Sequence, residues 1–283
     1  MSTNFVLSGF SDEISPDIKE QFHYFNELGI KFFEIRGVNE KNVSELTESE
    51  AIEVKKLADS CGIGISSIGS PVGKIKANEP FEPHIELLNH IIKLAKIFET
   101  KFIRVFSFYI PEGEDAEKYR DEVIRRMKIM AEIAQEEDVI LLHENEKGIF
   151  GDVASRCKDI LDAVNSPNLR AVFDPANFVE CDQITYPDSY EILKDYLAYI
   201  HIKDSVGCGK IVAPGKGNGK IKEILSELKK SGYNGFVSLE PHLHTFEGLK
   251  NLQSEALELE EELSGPDAFR LAHSSLLKII SEI

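Results

Sequence analysis

Glu144, Asp174, His201 and Glu240 carry side chains that could do chemistry as a group, and their spacing is regular. They sit in the stretches LHENE, FDPAN, HIKD and SLEPH, and successive members are 30, 27 and 39 residues apart. Three carboxylates and one imidazole, with no thiolate, form a donor set for one divalent ion: Mn2+, Mg2+ or Co2+, with Zn2+ also accommodated. Three carboxylates gathered at one point require such a cation, because uncompensated they repel one another where water is excluded. A single glutamate at a strand end is ordinarily solvated or ion-paired. Four such residues at matching positions weaken that reading for the set.

Other polar residues stand beside the four. Lys203 and Asp204 follow His201; they either hold substrate hydroxyls or a phosphate, or close an ion pair at a rim. Lys216 lies in PGKGNG (214–219), where backbone N–H groups could meet an anion; the alternative is a turn that launches a helix. His242, two residues past Glu240, shares its direction and is placed to contact substrate. Strand alternation turns His143 to the face opposite Glu144, so it is expected packed behind the barrel wall or supporting the site; Glu146, two residues beyond Glu144, could re-enter the mouth but is expected with Asn145 as a support or rim residue. Glu34 and Arg36 share a parity and are expected to point inward as a polar pair.

A repeated strand-and-helix unit would position such a set. Strand-like apolar runs occur at 5–10, 31–36, 63–70, 101–108, in VILLHE from 139, at 169–177 with its loop, at 198–204 and at 235–242. Each is followed by a helix-like segment, among them 83–98, 115–136, 152–164, 187–196 and 219–230. The first helix should be capped by Ser15 with Pro16 in its first turn, carry Ile18, Phe22, Phe25 and Leu28 on one face, and stop at Gly29. Thr47 and Glu50 form a capping box for a helix bearing Ile52, Val54, Leu57 and Ala58. LELEEEL (257–263) reads as a solvated face. Eight units predict a single (β/α)8 TIM barrel, one domain over 1–283. The first strand leads into GFSDEISP, without the glycine-rich fingerprint of a doubly wound sheet. In such a barrel the carboxyl ends of the strands converge on one mouth, which brings the four residues to the same height.

The formal charge of −17 argues against nucleic acid or an anionic membrane as partner, since both need a basic footprint. No run approaches the roughly 18 apolar residues of a membrane span. Four scattered cysteines without a CxxC pair, and no signal-peptide pattern near Met1, predict reduced thiols and a cytoplasmic protein.

LHENE, FDPAN, HIKD and SLEPH, supported by GFSDE and PGKGNG, give the whole chain a resemblance. It resembles the xylose isomerase-like TIM barrel superfamily of sugar phosphate isomerases and epimerases, which includes ketose 3-epimerases, inosose dehydratases and apurinic-site endonucleases. The resemblance implies a metal-dependent isomerase or epimerase of a small sugar, keto-sugar or polyol derivative. Glu144 and Glu240 would both bind metal and move protons on opposite faces of the substrate, through an enediolate. A dehydratase of the inosose type is the alternative on the same metal site. The nuclease reading needs additional His ligands and is opposed by the net charge. Homo-oligomers are expected at the level of the family. Ketose epimerases of this family carry a His three residues after the metal Asp and an Arg six after the metal His. Asn177 and Gly207 stand at those substrate-contacting positions here, which argues against simple ketose epimerisation.

Overall fold

The structure is a computed structural model that describes residues 5–245 and 263–283. Its frame is eight parallel strands: β1 (Val6–Gly9), β2 (Phe32–Ile35), β3 (Gly64–Ile68), β4 (Phe102–Val105), β5 (Ile140–Glu144), β6 (Leu169–Phe173), β7 (Leu197–Ile202) and β8 (Phe236–Leu239). Their hydrogen-bonded order is β1-β8-β7-β6-β5-β4-β3-β2. The ends of that order, β1 and β2, lie side by side, so the sheet is a nearly closed barrel. This is the single (β/α)8 TIM barrel that the repeat predicts.

Helices cover the outside: α1 (Ile18–Leu28), α2 (Glu48–Ser60), α3 (Glu82–Phe98), α4 (Arg120–Glu136), α5 (Ala154–Val164), α6 (Pro175–Glu180), α7 (Tyr190–Leu193), α8 (Ile221–Ser231) and α9 (Gly265–Ser281). The main core fills the layer between these helices and the strands. A smaller cluster of Leu142, Val172 and Tyr199, packed on Phe102, Ile140 and Phe236, plugs the barrel's interior. Burying the Tyr199 hydroxyl is tolerable because Ser66 Oγ lies 2.9 Å away, itself bonded to Ser8 Oγ. The plug leaves chemistry only at the end where the strands finish.

Local corrections have local causes. Asp17, not Ser15, caps α1: its side chain accepts the N–H groups of Lys19 and Glu20. Ser15 Oγ instead accepts Asp17 N–H and donates to Glu20. The capping box of Thr47 and Glu50 is present, but the buried stripe of α2 is Ala51, Val54 and Ala58, and Ile52 faces solvent. Segment 115–136 opens as a 3-10 turn, Ala116–Tyr119, before α4 begins. FDPAN is no loop after β6: Asp174 caps α6 directly. Two short antiparallel hairpins, Gly37–Val38 with Lys41–Asn42 and Asp204–Gly207 with Lys210–Val212, decorate the mouth end. All four cysteines are free. Among the described residues no helix is long and apolar enough to cross a membrane. LELEEEL lies, but for its last residue, outside the described residues.

Candidate metal centre

Glu144 is the last residue of β5, Asp174 and Glu240 directly follow β6 and β8, and His201 is the penultimate residue of β7. All four are buried, and one ligand atom from each lies within 4.8 Å of all the others. From His201 Nδ1 the distances are 3.1 Å to Glu144 Oε1, 3.3 Å to Glu240 Oε2 and 3.9 Å to Asp174 Oδ2. Asp174 spends Oδ1 on Asn177 N–H as helix cap, which frees Oδ2 to face the cluster. That Oδ2 is buried and accepts no well-directed hydrogen bond. A carboxylate oxygen without a well-directed hydrogen bond, beside an imidazole nitrogen and two further carboxylates, fits a hard or borderline divalent ion.

Behind the cluster, His201 Nε2 lies 3.3 Å from Glu34 Oε2, which also accepts the Ser238 hydroxyl. Glu34 thereby turns Nδ1 toward the other carboxylates, as a carboxylate behind a ligating histidine does. Phe10, packed edge-on against His201, forms the floor between Arg36 and Arg104, whose guanidinium carbons lie 4.3 and 5.1 Å from its ring centre.

Buried cations offset part of this charge. Lys203 Nζ lies 2.9 Å from Asp174 Oδ2 and 3.4 Å from Glu240 Oε2. Arg104 reaches Glu144 Oε2 at 3.2 Å. Arg36 binds Asp12, Glu240 and Glu13 at 2.9, 2.9 and 3.2 Å. Burial works against ionising Glu144, yet His201 and Arg104 hold its carboxyl down at about 2. Asp174 moves the other way, up to about 7, because burial and repulsion from Glu144 and Glu240 outweigh Lys203. Glu240 stays well below the usual carboxylate range: burial opposes this, but Lys203, His201 and His242 prevail.

The quartet expected from sequence is thus brought together, and its neighbours sort themselves. Asn177 is buried in the site, its Nδ2 donating to Asn145 O at 2.9 Å and lying 3.4 Å from Glu144 Oε1. His242 points at Glu240 Oε1, 3.3 Å from Nε2, while its backbone N–H donates to Glu13. Asn145 ties β5 to β6 by exchanging two hydrogen bonds with the Asp174 backbone. Glu146 stands at the rim, 3.4 Å from Lys74. His143 lies outside the barrel wall, fully buried beside Ser107 and Gly151. Glu34 and Arg36 both point inward but serve different partners, so they are not a pair.

Two expected substrate contacts have other surroundings. Asp204 is enclosed by the glycine loop and accepts the N–H groups of Ser205, Gly215, Gly217 and Gly219. Lys216 is exposed on that loop, outside the quartet. Gly207 turns the hairpin after β7 at φ +95°, a conformation that disfavours the arginine of ketose epimerases. Glu13 and Asp12 line the quartet and were missed by sequence reasoning, which placed Arg104 on its strand without a partner. Glu13, pushed up to about 8 chiefly by burial, also lies close to Glu240 and His242. The motif GFSDE held the signal for Asp12 and Glu13, without a partner to interpret it.

The xylose isomerase-like TIM barrel family model matches residues 22–263, and the chain belongs to that family. Its members are enzymes: epimerases, isomerases and dehydratases. A curated relative, 3-dehydroshikimate dehydratase of Bacillus anthracis, is 24% identical over 197 residues, spanning 65% of this chain and 64% of that protein. D-allulose 3-epimerase from Methylomonas sp., solved with D-allulose, superposes with a TM-score of 0.75 at 16% identity, covering both chains fully. The IolI protein with a bound zinc atom gives the same TM-score at 16% identity, covering 100% of this chain and 99% of that one. At such identities the structural likeness establishes the fold.

Proposed function

We propose that the protein is a divalent-metal-dependent isomerase or epimerase of a small keto-sugar or polyol derivative. The observation that carries this reading is the quartet itself: four ligand atoms, from four consecutive strands, within 4.8 Å of one another. One divalent ion, held by Glu144, Asp174, His201 and Glu240, would supply Lewis-acid polarisation of adjacent carbonyl and hydroxyl oxygens. Glu144 and Glu240 stand at the two ends of the four-strand arc. One takes the proton from the carbon beside the carbonyl, and the C–H electron pair passes into the enediolate. The other returns a proton to the opposite face. Two carboxylates are needed because a single base returns the proton to the face it came from. Arg104 and Arg36 hold the two glutamates, and Asn177 lies against Glu144.

A second reading, β-elimination of water, is favoured by one observation. Lys203 is a buried ammonium within reach of Asp174 and Glu240, a cation beside the quartet that would hydrogen-bond a departing hydroxyl. The curated relative named as a dehydratase supports the same chemistry.

Incubation in D2O with Mn2+ and a panel of keto-sugars and inososes tests the first reading. Deuterium should enter the carbon beside the carbonyl, and Glu144→Gln or Glu240→Gln should each slow this by about 10^2 to 10^4. Loss of 18 mass units from the product would identify the elimination. Neither exchange nor loss of water with any member of the panel would remove both.

A further inference from the structure

The loop that follows the seventh barrel strand bears on the charge of the substrate, an inference that rests on the proton-transfer reading above. In (β/α)8 barrels the loops after strands seven and eight frequently bind phosphate, because backbone N–H groups converge there. In this chain they converge on a carboxylate of the protein. Gly215 and Gly217 donate to Asp204 Oδ2 at 2.8 and 2.9 Å; Gly219 and Ser205 donate to Oδ1 at 2.9 and 3.0 Å. The approach is close enough that a Cβ on Gly217 would lie 2.3 Å from Asp204 Oδ1. The loop stands at the mouth, since a Cβ on Gly219 would meet Pro175, the residue after Asp174, at 3.0 Å. Asp204 therefore fills from within the nest that a phosphate would fill from outside.

The cations around the quartet are engaged in the same way. Arg36, Arg104 and Lys203 each lie against carboxylates of the centre, and Lys74, farther toward the rim, lies 3.4 Å from Glu146. An anionic substrate group would have to displace one of these carboxylates and then face the rest. A hydroxyl group can instead donate to the carboxylate and accept from the cation of each pair.

We propose that the site takes an uncharged polyhydroxylated keto-compound, a free sugar or cyclitol, and rejects its phosphorylated or carboxylated counterparts. Deuterium exchange on the Mn2+-loaded full chain tests this with matched pairs, D-allulose against D-allulose 6-phosphate and an inosose against its phosphate, with 3-dehydroshikimate as a carboxylate. The neutral members should exchange roughly a hundredfold faster in kcat/KM, the penalty expected of like charges placed together. Exchange that is as fast with a phosphorylated compound or with 3-dehydroshikimate overturns the proposal and leaves the proton-transfer reading standing. Exchange with no compound at all removes that reading, and the proposal falls with it.

A second measurement does not depend on turnover. Inorganic phosphate at millimolar concentration should leave the melting temperature of the parent chain unchanged, and should raise that of Asp204→Ala, whose nest is vacated. Stabilisation of the parent by phosphate would show a nest open to anions and sink the idea, whether or not the variant folds.

Discussion

Charge removed from water decides the behaviour of single residues in this centre. Arg36 is the clearest case, because one buried guanidinium spans Asp12, Glu13 and Glu240. Its fork of donors suits several acceptors at once, which an ammonium cannot match. Removing one partner of a buried charge cluster strands the others, at a cost of about 3–5 kcal/mol. Arg36→Met should lower stability by that amount in urea unfolding at pH 7. Arg36→Lys, which keeps the charge without the fork, should recover part of it. A Met variant within ~1 kcal/mol of the parent would show that Arg36 does not neutralise this corner.

At the scale of the element, β5 shows what a sequence can and cannot disclose. Alternation is imposed by the backbone, so Glu144 inside and His143 outside could be read directly. The same rule placed Glu34 and Arg36 inside, but parity says nothing of which partner a side chain meets. Ser15 was expected as the cap of α1, and local hydrogen-bond geometry chose Asp17 instead. Which residues close over His143 was not legible either, because Ser107 and Gly151 come from other segments of the chain. Neither of its ring nitrogens has a hydrogen-bond partner, and burial pushes its pKa down to about 4. The unfolded chain therefore takes up a proton between pH 6.5 and 4 that the folded chain refuses, and stability falls as pH drops through that window. For a shift of this size the loss is about 2.5 kcal/mol at pH 4.5. His143→Leu should lose correspondingly less than the parent between pH 7 and 4.5 in urea unfolding. Equal losses would assign the acid limb to other groups, His242 first, since burial also lowers it to about 4.

The whole molecule adds contacts that no local reading could supply. The four ligands were legible because they recur once per strand-and-helix unit, whereas Arg36 meets Glu240 across 204 residues and His242 meets Glu13 across 229. Those contacts exist because β1 pairs with β8 and β2 comes round beside β1, a closure set by the barrel and not by any motif. The closure also gathers more carboxyl groups than the buried cations balance, and the excess is met by protons: Asp174 is raised to about 7 and Glu13 to about 8, both chiefly by burial. Protons held by the fold and released by the unfolded chain stabilise fully below pH 4, and that contribution is lost as pH rises through 7 to 8. The metal-free protein should accordingly lose this part of its stability progressively from about pH 4 upward, the last of it between pH 6 and 8. A divalent ion at the quartet must displace the Asp174 proton, and also the His201 proton that the surrounding carboxylates hold well above the usual imidazole range, so its affinity should rise over the same interval by at least about tenfold. An ion at 100 times its Kd adds about 2.7 kcal/mol to stability, and a tenfold change in affinity alters this by about 1.4 kcal/mol. The rise in melting temperature caused by a fixed Mn2+ concentration should therefore grow from pH 6 to pH 8, and should vanish on adding a chelator. A rise that stays flat or shrinks with pH would mean that no proton leaves Asp174 when the ion arrives, and that the quartet is not where it binds.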